Sequence, residues 1–218
     1  MTSLALLLIG FSLFSALTLA LTHFRREHYQ GQALSRAMGL VLLLALSGLQ
    51  SAHFAWLYLD RPWVATVPYH MTLFAVAPAF FLFSQPLLRP QVPGRNKVAL
   101  LGHSLPFAVS PLLPGELALP LAFIVGAGYL SWLGRSLYAL RRERAGFHQE
   151  MLLLGSVFAI AVGVSVLGLS QQALPDKLFY CLYAISIGVA FVLVQTTLGL
   201  RPQLSAEVRE TVQTAYAS

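Results

Sequence analysis

Residues Thr2–Thr22 read TSLALLLIGFSLFSALTLALT, a run without a single charge. At 1.5 Å per residue, a helix of this length covers the roughly 30 Å hydrocarbon layer of a bilayer. A secretory signal would carry basic residues ahead of its apolar stretch. Here Met1-Thr2-Ser3 stand in front and Arg25-Arg26 behind, so the expectation is an uncleaved first membrane helix with its N-terminus outside.

Six further apolar stretches follow, at about 33–59, 66–88, 98–113, 117–140, 150–170 and 178–200. Connections between them are short. The whole chain of 218 residues is 57% hydrophobic and only 10% charged, where soluble domains carry about 25% charged residues. Its mean hydropathy is +0.70. That composition excludes a water-soluble globular enzyme, and it excludes a disordered chain, which needs low hydrophobicity and high net charge. The single Cys181 excludes a disulfide scaffold and a Cys-rich zinc site. The expected fold is therefore an all-α integral membrane protein, a seven-transmembrane helix bundle. Residues 1–201 form the membrane domain and 202–218 a cytoplasmic tail.

The basic residues orient it. Arg25, Arg26, Arg36, Arg89, Arg95, Lys97, Arg135, Arg141, Arg142, Arg144, Arg201 and Arg209 lie on one side of the expected bundle. Only Arg61 and Lys177 lie on the other. Cytoplasmic loops carry the excess of lysine and arginine, so the expected C-terminus is cytoplasmic. The net charge of +6 needs no nucleic-acid explanation.

Chemistry-bearing residues are few. No Asp or Glu falls inside an expected span, Glu150 sitting at the cytoplasmic end of the sixth, which argues against a proton-coupled path. His53 and His103 are the deepest titratable groups and fall towards opposite faces, so a shared metal or haem is not expected. Lys177 precedes the seventh span, so retinal attachment lacks its lysine. No H-E-x-x-H, serine–histidine or paired-aspartate arrangement is visible. The expectation is no enzymatic activity and no cofactor or metal. Small residues four apart, Ala122/Gly126, Ala159/Gly163 and Ala184/Gly188, suit close helix packing. Pro78, Pro106 and Pro111 interrupt the third and fourth spans.

Polar and aromatic residues gather towards the outer side: His53, Trp56, Tyr58, Asp60, Trp63, Tyr69 and His70, with Glu116 near them. An interfacial aromatic belt accounts for much of this. The sharper reading is an outward-facing pocket whose ligand contacts are His53, Trp56, Tyr58, Asp60, Trp63 and His70. After Pro202, Ser205 caps a short amphipathic helix whose apolar stripe is Leu204, Val208, Val212 and Tyr216. Thirteen residues are too few for a stable isolated helix, so this stripe packs on the membrane, a second copy or a further domain.

The stretch Pro78-Ala-Phe-Phe-Leu-Phe-Ser-Gln-Pro-Leu-Leu-Arg-Pro, then His103-Ser-Leu-Pro-Phe, the Arg-rich end of the fifth span, and Arg201-Pro202 leading into Leu204–Tyr216 carry a resemblance. Taken together, nearly the whole chain resembles the N-terminal seven-helix region of membrane-bound AraC-family transcriptional regulators of bacteria. Related seven-helix regions precede histidine kinases and cyclic-dinucleotide enzymes. The resemblance implies a multi-pass sensor in the bacterial inner membrane that receives a small-molecule or membrane signal. It implies contact with DNA only through a cytoplasmic helix-turn-helix domain that residues 1–218 do not contain. Membrane lipid and a homodimer are the other expected partners. Two alternatives stay open: a small permease using Gln50, Ser51, His53, Ser165 and Gln195, or a scaffold binding a partner membrane protein.

Overall fold

The computed structural model describes the backbone of residues 1–25, 29, 32–88, 97–143 and 148–200. Side chains are described for these except 85–88, 97–101, 137, 139–143, 148–158 and 199–200. The tail helix expected at Leu204–Tyr216 lies outside the described residues.

Among the described residues, the elements are helices α1 (Thr2–Thr22), α2 (Ala33–Leu59), α3 (Val67–Leu88), α4 (Lys97–Val109), α5 (Gly115–Glu143), α6 (His148–Leu169) and α7 (Asp176–Leu200). Short 3-10 turns sit at Trp63–Ala65, Ser110–Leu112 and Gln171–Ala173. Five helices, α1, α2, α3, α5 and α7, have described segments long and apolar enough to cross a membrane. The chain is thus an α-helical, multi-pass membrane protein. The fourth stretch departs most from expectation. Its helix stops at Val109 rather than running to residue 113, because Pro111 supplies no backbone N–H, and the chain tightens into the 3-10 turn.

Three connections share one build. Each is a 3-10 turn, then one extended residue, then a helix start. The extended residues are Thr66, Leu113 and Leu174, with ψ of 152°, 138° and 145°. For Leu113 and Leu174 the cause is the following proline, which pushes its predecessor out of the helical region. Pro114 and Pro175 then open α5 and α7, their carbonyls accepting from Leu117 and Ala118, and from Leu178 and Phe179. Glu116 and Asp176 in the first turns face the positive helix ends. The pattern Leu-Pro-Gly-Glu-Leu at 113–117 and Leu-Pro-Asp-Lys-Leu at 174–178 is a local repeat that hydropathy alone passes over.

Contacts between these turns put them at one end of the bundle. Asp60, a non-glycine residue at φ 51° closing α2, lies 3.9 Å from Lys177 at the start of α7. Thr2 Oγ1 lies 3.8 Å from Cys181 Sγ, so the N-terminus belongs to the same end. The opposite end is tied by Ser35 Oγ donating to the Phe83 carbonyl at 2.7 Å and Arg36 Nε donating to the Phe24 carbonyl. The tip of the Phe24 ring packs against Gly39 there, and the ring stacks on Tyr29.

Neighbouring packing runs α1–α2–α3–α5–α6–α7 and closes through α7 on α1, while α2 also reaches α7 and α4 leans on α3. At the closing contact, a Cβ on Gly188 would start 2.5 Å from Leu8 Cβ. Of the three small-residue pairs, only Ala184/Gly188 is used in this way. Among the described residues, nothing lies within 4 Å of a Cβ added at Gly126 or Gly163.

Candidate functional site

Four helices meet around one buried polar chain. Gln50 and His53, one turn apart on α2, are both 0% exposed. The Gln50 carboxamide nitrogen donates to Ser12 Oγ of α1 at 3.0 Å and to the Ala184 carbonyl of α7 at 3.2 Å. Its oxygen lies 3.2 Å from His53 Nδ1, and His53 Nε2 lies 3.1 Å from Tyr69 Oη of α3.

Proton directions follow from chemistry. A backbone carbonyl only accepts, so the NH2 of Gln50 must face Ala184 and its oxygen must face His53. His53 therefore carries its proton on Nδ1, donates to Gln50, and accepts from the Tyr69 hydroxyl on Nε2. Ser12 completes the chain by donating to the Leu8 carbonyl at 2.6 Å. The order is Tyr69 to His53 to Gln50 to Ser12 and Ala184, every group neutral. In a membrane interior this matters twice over: an unpaired polar group there is expensive, and a satisfied network specifies one arrangement.

Aromatic rings enclose it. Tyr183 and Tyr180 of α7 lie 5.0 and 5.8 Å from the imidazole, and Tyr69 5.8 Å, centroid to centroid. Phe123 of α5 meets Tyr183 edge-on at 5.6 Å. Tyr180 and Tyr183 fall three residues apart, so one face of α7 presents both.

The six residues read from sequence as ligand contacts divide into two sets. His53, Trp56 and His70 turn inward. Trp56 sits edge-on to Tyr180 at 6.2 Å, and its indole nitrogen is buried with no acceptor among the described residues. His70 is 8% exposed, with its ring 6.0 Å from that of Tyr69. Tyr58 and Trp63, 64% and 53% exposed, point away from the bundle, and Asp60 pairs with Lys177 at the surface. The inward set thus forms one group with Tyr69, Tyr180 and Tyr183, while the outward set suits the membrane interface.

Sequence reading passed over Ser12, Tyr180 and Tyr183 and gave Gln50 only a transport role. The available signal was Gln50 and His53 three apart in an apolar helix, with tyrosines at the same spacing near the start of α7. Both imidazole nitrogens of His53 are engaged: Nδ1 carries the proton given to Gln50, and the one in-plane lone pair, on Nε2, accepts from Tyr69. Among the described residues, no three His, Cys, Asp or Glu converge as ligands. His103 of α4 is held separately, its Nδ1 2.8 Å from Tyr129 Oη and its ring against Phe81.

No protein-family model matches the chain, and no curated protein or solved structure does so either. Fold and site together define a multi-pass helical membrane bundle with a neutral hydrogen-bonded core beneath an aromatic group at one end.

Proposed function

We propose that this bundle is the transmembrane input module of a bacterial membrane-bound transcriptional regulator. In this reading seven helices cross the inner membrane, with the N-terminus and the three described turns outside. Helix α4, continued by the 3-10 turn to Leu112, reaches about 25 Å, and the bilayer thins locally to meet it. A small or membrane-borne signal acts at the inward group of His53, Trp56 and His70. Helix α7 carries the change towards the basic, cytoplasmic end, where a DNA-binding domain would receive it. Lipid surrounds the bundle, and a second copy is a natural partner for such a regulator.

The observation that carries this reading is the continuity of the buried chain. It joins the aromatic group at the outer end directly to the backbone of α7, the last helix before the cytoplasmic side. The permease alternative draws on Gln50, Ser51, His53, Ser165 and Gln195. Those residues are engaged within the bundle: Ser51 and Ser165 donate to their own helices, Gln195 to Thr18, and Gln50 and His53 within the chain. Such side chains support a receptor better than a wet path.

The test is an immunoblot of the native gene product in its own cell, with antibody to the basic loop after α5. A band well above the 23.8 kDa of this chain is expected, shortened by protease in inverted vesicles and protected in intact spheroplasts. A band at that mass, or cleavage only in spheroplasts, contradicts the reading.

A further inference from the structure

Helix α7 is held on α1 at two levels by carboxamides. Towards the outer end, Gln50 donates to the Ala184 carbonyl and to Ser12. Towards the inner end, Gln195 Nε2 lies 3.0 Å from Thr18 Oγ1 and 3.4 Å from the Ser15 carbonyl. Between them Gly188 lets the two backbones come together at Leu8. Thr2 Oγ1 and Cys181 Sγ meet 3.8 Å apart where the two helices begin, and Ala5, Ile9, Ala16 and Leu19 of α1 belong with Ile187 and Phe191 of α7 to one apolar core. Apolar packing fixes how close two helices lie. The Leu8–Gly188 fit opposes sliding at one point, but elsewhere along the axis small apolar contacts of similar size can replace one another. Directional hydrogen bonds are what set axial position.

Of the two hooks, Gln50 is the one tied to the outer aromatic group. The terminal torsion of a glutamine side chain is broad, so the carboxamide has no strong preference of its own. His53 supplies that preference by donating into the Gln50 oxygen, and Tyr69 fixes His53 from the third helix.

We propose that Gln50 is the positioning residue through which the His53–Tyr69 pair sets the axial register of α7 against α1. A hydrogen-bonding ligand that captures the Tyr69 hydroxyl or His53 Nε2 frees the carboxamide to turn and loosens α7. This last step rests on the input-module reading, whereas the lock itself stands without it.

The chain contains its own reporter. Cys181 is its one cysteine and lies one turn from Ala184, with its sulfur 3.8 Å from Thr2 Oγ1. Thr2→Cys therefore places two thiols across the α1–α7 contact. The experiment is the rate of disulfide closure in native membranes under copper-phenanthroline, read by maleimide-polyethylene glycol. Thr2→Cys is expected to close readily. Adding Gln50→Leu should slow closure about fivefold, the middle of the range for residues that couple distant positions. Tyr69→Phe, on a helix that is no part of this contact, should slow it similarly, and both together no further than either alone.

A residue that merely fills space would not make the effect of Gln50 depend on a hydroxyl of α3. Closure unchanged by Gln50→Leu, or slowed by Gln50→Leu but not by Tyr69→Phe, overturns the proposal and leaves the immunoblot result untouched. Should Gln50→Leu unfold the bundle, buried Cys181 becomes reactive without oxidant, and Tyr69→Phe then carries the test alone.

Discussion

Gly188→Val is expected to lower the thermal midpoint of the purified bundle by about 5 °C or more. The valine Cβ would begin 2.5 Å from Leu8 Cβ, and both atoms sit next to backbone, so neither can swing aside. Overpacking of this kind costs about 1–3 kcal/mol and occasionally more, and each kcal/mol shifts the midpoint of a domain this size by about 2–4 °C. Gly126→Val and Gly163→Val provide the comparison. Both glycines belong to the same small-residue pattern in sequence, yet among the described residues neither has an atom within 4 Å of the added Cβ. Those variants should stay within about 0.5 kcal/mol of the parent. Heating in the presence of a thiol-reactive dye reads all three, since buried Cys181 reacts only on unfolding. Equal midpoints for the three variants would contradict the close approach of α1 and α7.

His53→Leu should remove about 3 kcal/mol. It strips the acceptor from the Tyr69 hydroxyl and the donor from the Gln50 oxygen, and each orphaned buried group costs about 1–3 kcal/mol. Hydrogen bonds within membranes average nearer 0.6 kcal/mol because the unfolded chain also finds partners, so the deficit comes mainly from the orphans. This gives the effect of Tyr69→Phe a sign that depends on background. In the parent it should destabilise by about 1 kcal/mol, leaving His53 Nε2 unpaired. In His53→Leu it should stabilise, because the hydroxyl it removes already lacks a partner. The same dye-based melting measures both. Destabilisation of similar size in the two backgrounds would mean that Tyr69 and His53 do not exchange a hydrogen bond.

Much of the fold was legible because membrane helices declare themselves by length. Thr2–Thr22 and Ala33–Leu59 coincide with their apolar runs, since charge or helix-breaking turns end both. The fourth stretch was harder. Hydropathy runs on through Pro111, but hydrogen bonding does not, and only the latter decides where α4 ends. The starts of α5 and α7 at Gly115 and Asp176 precede their apolar runs by two residues, because proline carbonyls open these helices before hydropathy rises.

The site was legible in part for a different reason. Depth along a helix can be counted, and His53, Trp56 and His70 lie towards the same end of the bundle in the structure. Facing direction around a bundle depends on which helices are neighbours, and sequence spacing carries little of that. Hence Tyr58 and Trp63 looked equivalent to Trp56 while they face away, and Ser12, Tyr180 and Tyr183, on α1 and α7, went unnoticed. Pairing of the first helix with the last is the contact that sequence order conceals most completely.

The transcript profile of the native cell tests the input role most directly. It would compare the parent strain, a deletion of the gene, and a chromosomal Tyr69→Phe variant matched for abundance in the membrane. A limited set of transcripts is expected to change on deletion, and Tyr69→Phe is expected to shift the same set. Transcripts unchanged in the deletion strain across growth conditions would contradict a regulator, whatever the buried chain does within the bundle.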